Sequence, residues 1–174
     1  SSFWGVSPSS NGSGRGIQAH IPWGNQNIYL DTAGCCNAAT QRIFLNNADF
    51  EWTEWHHYVF VKDGGHKSIW IDGYLFHEGD NSFPLPSDFD FLYIGGNQVG
   101  GNSVSGIIDD FAVFASALTE EQIIALLREL RDEGRVMLVS THNLGTVPEF
   151  CDRTILVKGT VLGYGPTETT FTHE

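Results

Sequence analysis

Between Gly16 and Phe114 apolar positions recur in short runs, each closed by a cluster of Gly, Asn or Asp. That is the pattern of strands joined by tight turns, and it predicts strands over 16–21, 27–31, 41–45, 56–61, 68–72, 74–78, 91–95 and 108–114. In His57-Tyr58-Val59-Phe60-Val61-Lys62 both alternating faces are apolar, as expected for a strand inside a sandwich. Asp63-Gly64-Gly65-His66-Lys67 reads as a polar turn. Asp72-Gly73 reads as a two-residue hairpin turn, because Gly tolerates the positive φ such turns need. Strands at this spacing, with no helical period between them, give a sandwich or jelly roll.

From Thr119 the period changes. Ile123, Ile124, Leu126, Leu127 and Leu130 form a helical stripe, with Thr119 as N-cap, Glu120–Gln122 in the first turn and Gly134 as the stop. Val136-Met137-Leu138-Val139-Ser140 reads as a buried strand. A short helix near 147–151 and a strand over 154–158 follow.

Composition separates the same two regions. All five Trp, 19 of the 22 aromatic residues and 15 of the 20 Gly precede Leu118. Residues 1–117 carry 4 Lys/Arg against 12 Asp/Glu, and residues 118–174 carry 5 against 9. A shift of this kind marks a boundary between two sorts of structure. The hydrophobic share of 41% supports a packed core. With 9 Lys+Arg in 174 residues and a net charge of −12, the chain lacks the cations that hold a phosphate backbone, so no nucleic-acid partner is expected. No apolar run nears the ~20 residues of a spanning helix, so no membrane span is expected either. The opening Ser1-Ser2-Phe3-Trp4, without Met or a basic-then-apolar leader, reads as a fragment or a processed chain.

Five strings in order carry a resemblance: 55–64 (Trp55-His56-His57-Tyr58-Val59 through Gly64), Ile69-Trp70-Ile71-Asp72-Gly73, Leu92-Tyr93-Ile94-Gly95-Gly96, 106–114 (Gly106-Ile107-Ile108-Asp109-Asp110 through Phe114) and Ala117-Leu118-Thr119-Glu120-Glu121-Gln122-Ile123. Together they are similar to the laminin-G-like, concanavalin-like jelly-roll family over about residues 3–123. The resemblance implies a fold that is mainly β: an antiparallel jelly-roll sandwich (1–118), here with a C-terminal helix and a small α/β appendage (119–174). It also implies an N-terminally truncated copy, since such domains usually have one or two strands before the first seen here.

Family members bind glycans or extracellular proteins, often beside calcium, and many are exported, so a secreted or cell-surface location is implied for this part. Exposed rings stack on sugar faces, and Trp23, Trp52 and Trp70 are the candidate ligand platform; core or edge packing is the alternative for each. Asp109 and Asp110 are the candidate calcium ligands, with Asp31, Asp88 and Asp90 as weaker partners; the alternative is that one Asp caps a strand. No enzymatic activity is expected. The Glu-x-Asp-x-x-Glu strand of the superfamily's retaining β-glucanases is absent, and Glu51-Trp52-Thr53-Glu54 has the wrong spacing to put two carboxylates on one face. His56 and His57, adjacent on a strand, point to opposite faces and cannot share a metal. Cys35 and Cys36 are neighbours, a disulfide between neighbours is strained, and Cys151 lies in the other region, so no disulfide framework is expected.

A second resemblance covers about 118–171. The segments 135–144 (Arg135 to Leu144), 148–157 (Pro148 to Val157) and 161–167 (Val161 to Thr167) are similar to the end of an ABC transporter ATPase of manganese- or zinc-type importers. It implies that His142 is the switch histidine that contacts the γ-phosphate, and it implies a cytoplasmic setting. The rest of that machine is missing. No Gly-x-x-x-x-Gly-Lys-Ser/Thr loop exists, since Gly64-Gly65-His66-Lys67-Ser68 has His where Gly must precede Lys. ATP is therefore not expected as a cofactor. The expectation is a non-catalytic binding module joined near Leu118–Ile123 to an incomplete ATPase tail. The alternatives are a fragment of a metal-ion importer's ATP-binding subunit and a structural or non-functional fusion product.

Overall fold

The computed structural model describes residues 2–46, 52–134, 145 and 147–171. The chain divides into two units: Ser1–Glu54, Tyr58–Ile71 and Leu75–Leu118 in the first, Trp55–His57, Asp72–Tyr74 and Thr119–Glu174 in the second. His142 and the expected strand Val136-Met137-Leu138-Val139-Ser140 lie outside the described residues. Among the described residues, no helix is long and apolar enough to cross a membrane.

The first unit is mainly β and antiparallel. Strands β1 (Phe3–Val6), β2 (Arg15–His20), β3 (Asn27–Thr32), β4 (Arg42–Asn46) and β8 (Phe91–Ile94) form one sheet in the order β4-β3-β2-β1-β8. Strands β5 (Tyr58–Asp63), β6 (His66–Ile71) and β7 (Tyr74–Asp80) form a second, three-stranded sheet. A short helical turn, α1 (Asn11–Gly14), precedes β2.

Because successive strand residues point to opposite faces, alternate residues enter the core. Ile28, Leu30 and Ile43 from the larger sheet meet Ile69 and Ile71 from the smaller, with Ile17, Trp52, Tyr58, Phe60 and Phe76 packed around them. This is the sandwich core, and a charged side chain lies within it. Lys67 is fully buried and its Nζ donates to the carbonyls of Gln41 (2.7 Å) and Leu30 (3.4 Å). Burial, with Lys62 nearby, lowers its pKa to about 7.

Two expectations are corrected here. Residues 108–114 are not a strand: the stretch from Ile107 to Phe114 has no regular secondary structure, and Ile107 and Val113 are 78% and 74% exposed. Asp110 has φ +51°, which breaks an extended path. The other correction is a strand the pattern missed, β1, whose four residues pair with both β2 and β8.

In the second unit, α2 (Glu120–Asp132) begins with a complete capping box. Gln122 N–H donates to Thr119 Oγ1 (3.4 Å) and Thr119 N–H donates to Gln122 Oε1 (2.9 Å). Its apolar stripe buries Ile124 and Leu127 against Tyr74 and Cys151, and burial pushes the Cys151 thiol pKa up. The expected Asp72-Gly73 turn is present, with φ +54° and +80°. Gly73 is required twice over, since a Cβ there would lie 2.4 Å from Leu127 Cδ1. Arg128 Nη2 pairs with Glu149 at 2.6 Å, tying α2 to α3 (Val147–Phe150). The hairpin of β9 (Arg153–Val157) and β10 (Val161–Pro166) leads into α4 (Thr167–Thr170).

Candidate functional site

The face of the five-stranded sheet turned away from the core is not apolar. In strand 27–32 Ile28 and Leu30 enter the core, so Tyr29 and Asp31 take the opposite face. Cross-strand register then builds two rows, His20–Tyr29–Phe44 and Gln18–Asp31–Arg42. The turn before β3 is tight: Gln26 has φ +64°, Gln26 N–H donates to the Trp23 carbonyl and Trp23 N–H to the Asn27 carbonyl, both at 2.8 Å. This turn sets the Trp23 ring 4.4 Å from His20.

The first row is an aromatic cluster edged by amides. Tyr29 and Phe44 stack with centroids 5.4 Å apart, and the Arg42 guanidinium lies 4.3 Å over the Tyr29 ring. Asn25 Nδ2 and Asn27 Nδ2 each donate to Tyr29 Oη at 2.8 Å. Asn46 Nδ2 donates to the Asn25 carbonyl (2.9 Å) and to Asn27 Oδ1 (3.0 Å). Trp23 is 39% and Phe44 44% exposed, while Tyr29, stacked on Phe44, is buried. The patch therefore offers two apolar ring surfaces and a preset group of amides. Burial, together with the nearby positive charges of Arg15 and Arg42, lowers the His20 pKa to about 3. Its ring is neutral across the physiological range.

The second row is ionic. Asp31, with no exposed surface, is held by Arg15 Nη1 (2.9 Å) and, through both oxygens, by Arg42 Nε (2.5 Å) and Nη2 (2.6 Å). Such fork-to-fork pairing fixes the Arg42 plane, and with it the guanidinium that covers Tyr29.

The sequence-predicted residues are dispersed. Trp23 belongs to the aromatic patch. Trp52 packs against the core cluster, and Trp70 lies on β6 with its Nε1 donating to Ser68 Oγ (2.8 Å), on the face opposite Ile69 and Ile71. Asp109 and Asp110 are exposed, and the Asp110 N–H donates to Asp109 Oδ1. Among the described residues, Asp31, Cys35 and Cys36 also bring carboxylate and sulfur atoms close together. Asp88 accepts from Ser7 Oγ, Ser9 N–H and Ser9 Oγ, which lowers its pKa. His56 pairs with Asp72 at 2.7 Å and His57 N–H donates to the same carboxylate. Cys35 and Cys36 are bonded to each other, a link between sequence neighbours that ties no distant parts of the chain together. Tyr29, Phe44 and the three Asn were missed by the sequence reading. Their signal was the polar–apolar alternation of 27–31, whose second face carries Asn27, Tyr29 and Asp31.

Comparison with known proteins bears on both regions. The family profile of the Concanavalin A-like lectin/glucanases superfamily, in its laminin-G form, matches residues 3–124. The chain is 56% identical over 68 residues, 39% of its own length, to the chelated iron transport system membrane protein YfeB of Yersinia pestis, covering 23% of that protein. It is 47% identical over 68 residues to the manganese transport system ATP-binding protein MntA of Synechocystis sp., covering 26% of it. The chain thus spans about a quarter of these curated relatives. An S-layer domain-containing protein of Clostridium thermocellum (residues 221–444) aligns at TM-score 0.39 and 23% identity, over 64% of this chain and 63% of that one.

Proposed function

Because this chain belongs to the Concanavalin A-like lectin/glucanases superfamily, we propose that it is a non-catalytic carbohydrate-binding module of an exported or cell-surface protein, with the Trp23–Phe44 patch as its sugar site. The carrying observation is the pairing of two exposed rings, Trp23 and Phe44, with the Asn25–Asn27–Asn46 amide group. A sugar presents an apolar face and a rim of hydroxyls. Rings cover the former, while a few fixed polar groups orient the latter. Calcium at Asp109–Asp110 belongs to the same proposal as a second element.

The test is a glycan array followed by calorimetry on the best binder, each with calcium and with chelator. Trp23→Ala and Phe44→Ala should each weaken binding by about tenfold or more, the loss expected of a truncated aromatic anchor, with the circular dichroism spectrum unchanged. A protein ligand in place of a glycan, or glycan affinity indifferent to both substitutions, would refute the site. A calcium-independent melting temperature would remove the ion.

A second reading concerns the tail, and the 56% identity to a metal-importer component supports it. In it the chain is a fusion of the jelly-roll unit with an ATPase end, joined near Leu118–Ile123, and the tail does not hydrolyse ATP for want of a phosphate cradle. Genomic DNA read continuously through the codons around Thr119 should show the join as a recent rearrangement or an assembly break. Finding the same join in independent genes would instead make it one natural architecture.

A further inference from the structure

The loop between β3 and β4 is built around its two cysteines. Asn11 Oδ1 accepts from the Cys35 N–H (2.9 Å), and Gln41 Nε2 donates to the Ala33 carbonyl (3.0 Å). Gly34, at φ +115°, passes so close to Asn11 that a Cβ would lie 2.1 Å from Asn11 Oδ1. The bonded sulfurs are not equivalent. Cys35 is half-buried and Cys36 exposed. Arg42 Nη2 stands 3.5 Å from Cys35 Sγ and Arg15 Nη1 3.6 Å from Cys36 Sγ.

The charges around the pair favour anionic sulfur over a bound cation. Both Asp31 oxygens are already occupied by guanidinium donors, so this carboxylate has little left to give a metal. Two arginines against one aspartate leave a net positive charge beside the sulfurs. A thiolate next to Arg is stabilised by that opposite charge, and a disulfide opens faster when the leaving sulfur is stabilised as a thiolate.

We propose that Cys35–Cys36 is a thiol–disulfide exchange site that captures a thiol on Cys36 and releases Cys35 as a thiolate against Arg42. The incoming thiolate R–S⁻ attacks the exposed Cys36 Sγ. The R–S–Sγ bond of a mixed disulfide forms as the Sγ–Sγ bond breaks, and the electron pair leaves on Cys35 Sγ. No external oxidant is consumed. The substrate class is an accessible thiol, from a small molecule or a partner's cysteine, and the site stands independently of the sugar reading.

The experiment uses the whole chain and the uncharged monothiol 2-mercaptoethanol. Intact mass should first show the pair oxidised, 2 Da below the dithiol by loss of two hydrogens. After brief exposure, acid quench and alkylation with iodoacetamide, peptide mapping should find the mercaptoethanol adduct on Cys36 and the carbamidomethyl group on Cys35. Arg42→Gln should slow opening by about tenfold and Arg42→Lys should restore most of it, since the charge assists the departing thiolate. Should Arg42→Gln not fold, salt supplies the second measurement. Raising ionic strength from ~0.05 to ~1 M shrinks the reach of charge to about 3 Å and should slow opening several-fold in the unsubstituted protein. Two free thiols in the air-exposed protein, an adduct mainly on Cys35, or opening indifferent to both Arg42 and salt would each overturn the proposal.

Discussion

Single buried charges set the terms of this molecule's stability. Lys67 sits in an apolar core, where its Nζ donates to two backbone carbonyls, and burial lowers its pKa from 10.5 to about 7. The unfolded chain therefore binds the extra proton between about pH 7 and 10.5, so folding stability rises with pH across that window. The urea midpoint should climb between pH 7 and 9.5, and Lys67→Met should flatten the climb. A midpoint equally steep in Lys67→Met would move the effect to Lys62, whose pKa burial also lowers. Asp31 is the contrasting case. It is as deeply buried, but two arginines compensate it, so removing either partner leaves a charge that burial penalises.

At the scale of elements, local signals and tertiary signals parted company. The helix 120–132 was legible because its start is written in four adjacent residues, Thr119 to Gln122, which make both hydrogen bonds of the capping box themselves. Thr119→Ala removes one of them at a cost of about 1 kcal/mol. Amide exchange at Gln122 should then accelerate about fivefold, the factor that energy corresponds to; unchanged exchange would mean the helix start is held by packing instead. The stretch 107–114 shows the opposite. It is as rich in β-prone residues as β3, yet a strand exists only where a neighbour accepts its hydrogen bonds, and among the described residues this one lies outside both sheets of the sandwich. β1 escaped notice for the same reason: four residues carry little periodicity, and it is defined by β2 and β8 on either side.

At the scale of the whole molecule, the composition changes around Leu118, and two unrelated sets of relatives each account for part of the chain. The family match ends at residue 124, while the importer relatives account for 39% of the chain. The two structural units differ in kind as well: the first holds two antiparallel sheets, and the described residues of the second include a capped helix, two short helices and a β hairpin. The acidic excess is shared by both, so across the boundary the charge balance changes in degree while the aromatic and glycine content changes sharply.

The β character of the first region, the Asp72-Gly73 turn, the capped helix and the family are all legible in residues adjacent along the chain, because neighbours carry each of them. Where function-bearing side chains meet is a matter of long-range packing. Trp23, Trp52 and Trp70 look alike as residues, yet they end on a patch, against the core and on the other sheet. Tyr29 joined Phe44, and Arg15 joined Arg42 around Asp31 and the cysteine pair, through strand register. Register follows from which face is buried and from turn geometry, but which strands become neighbours is settled between residues far apart in sequence.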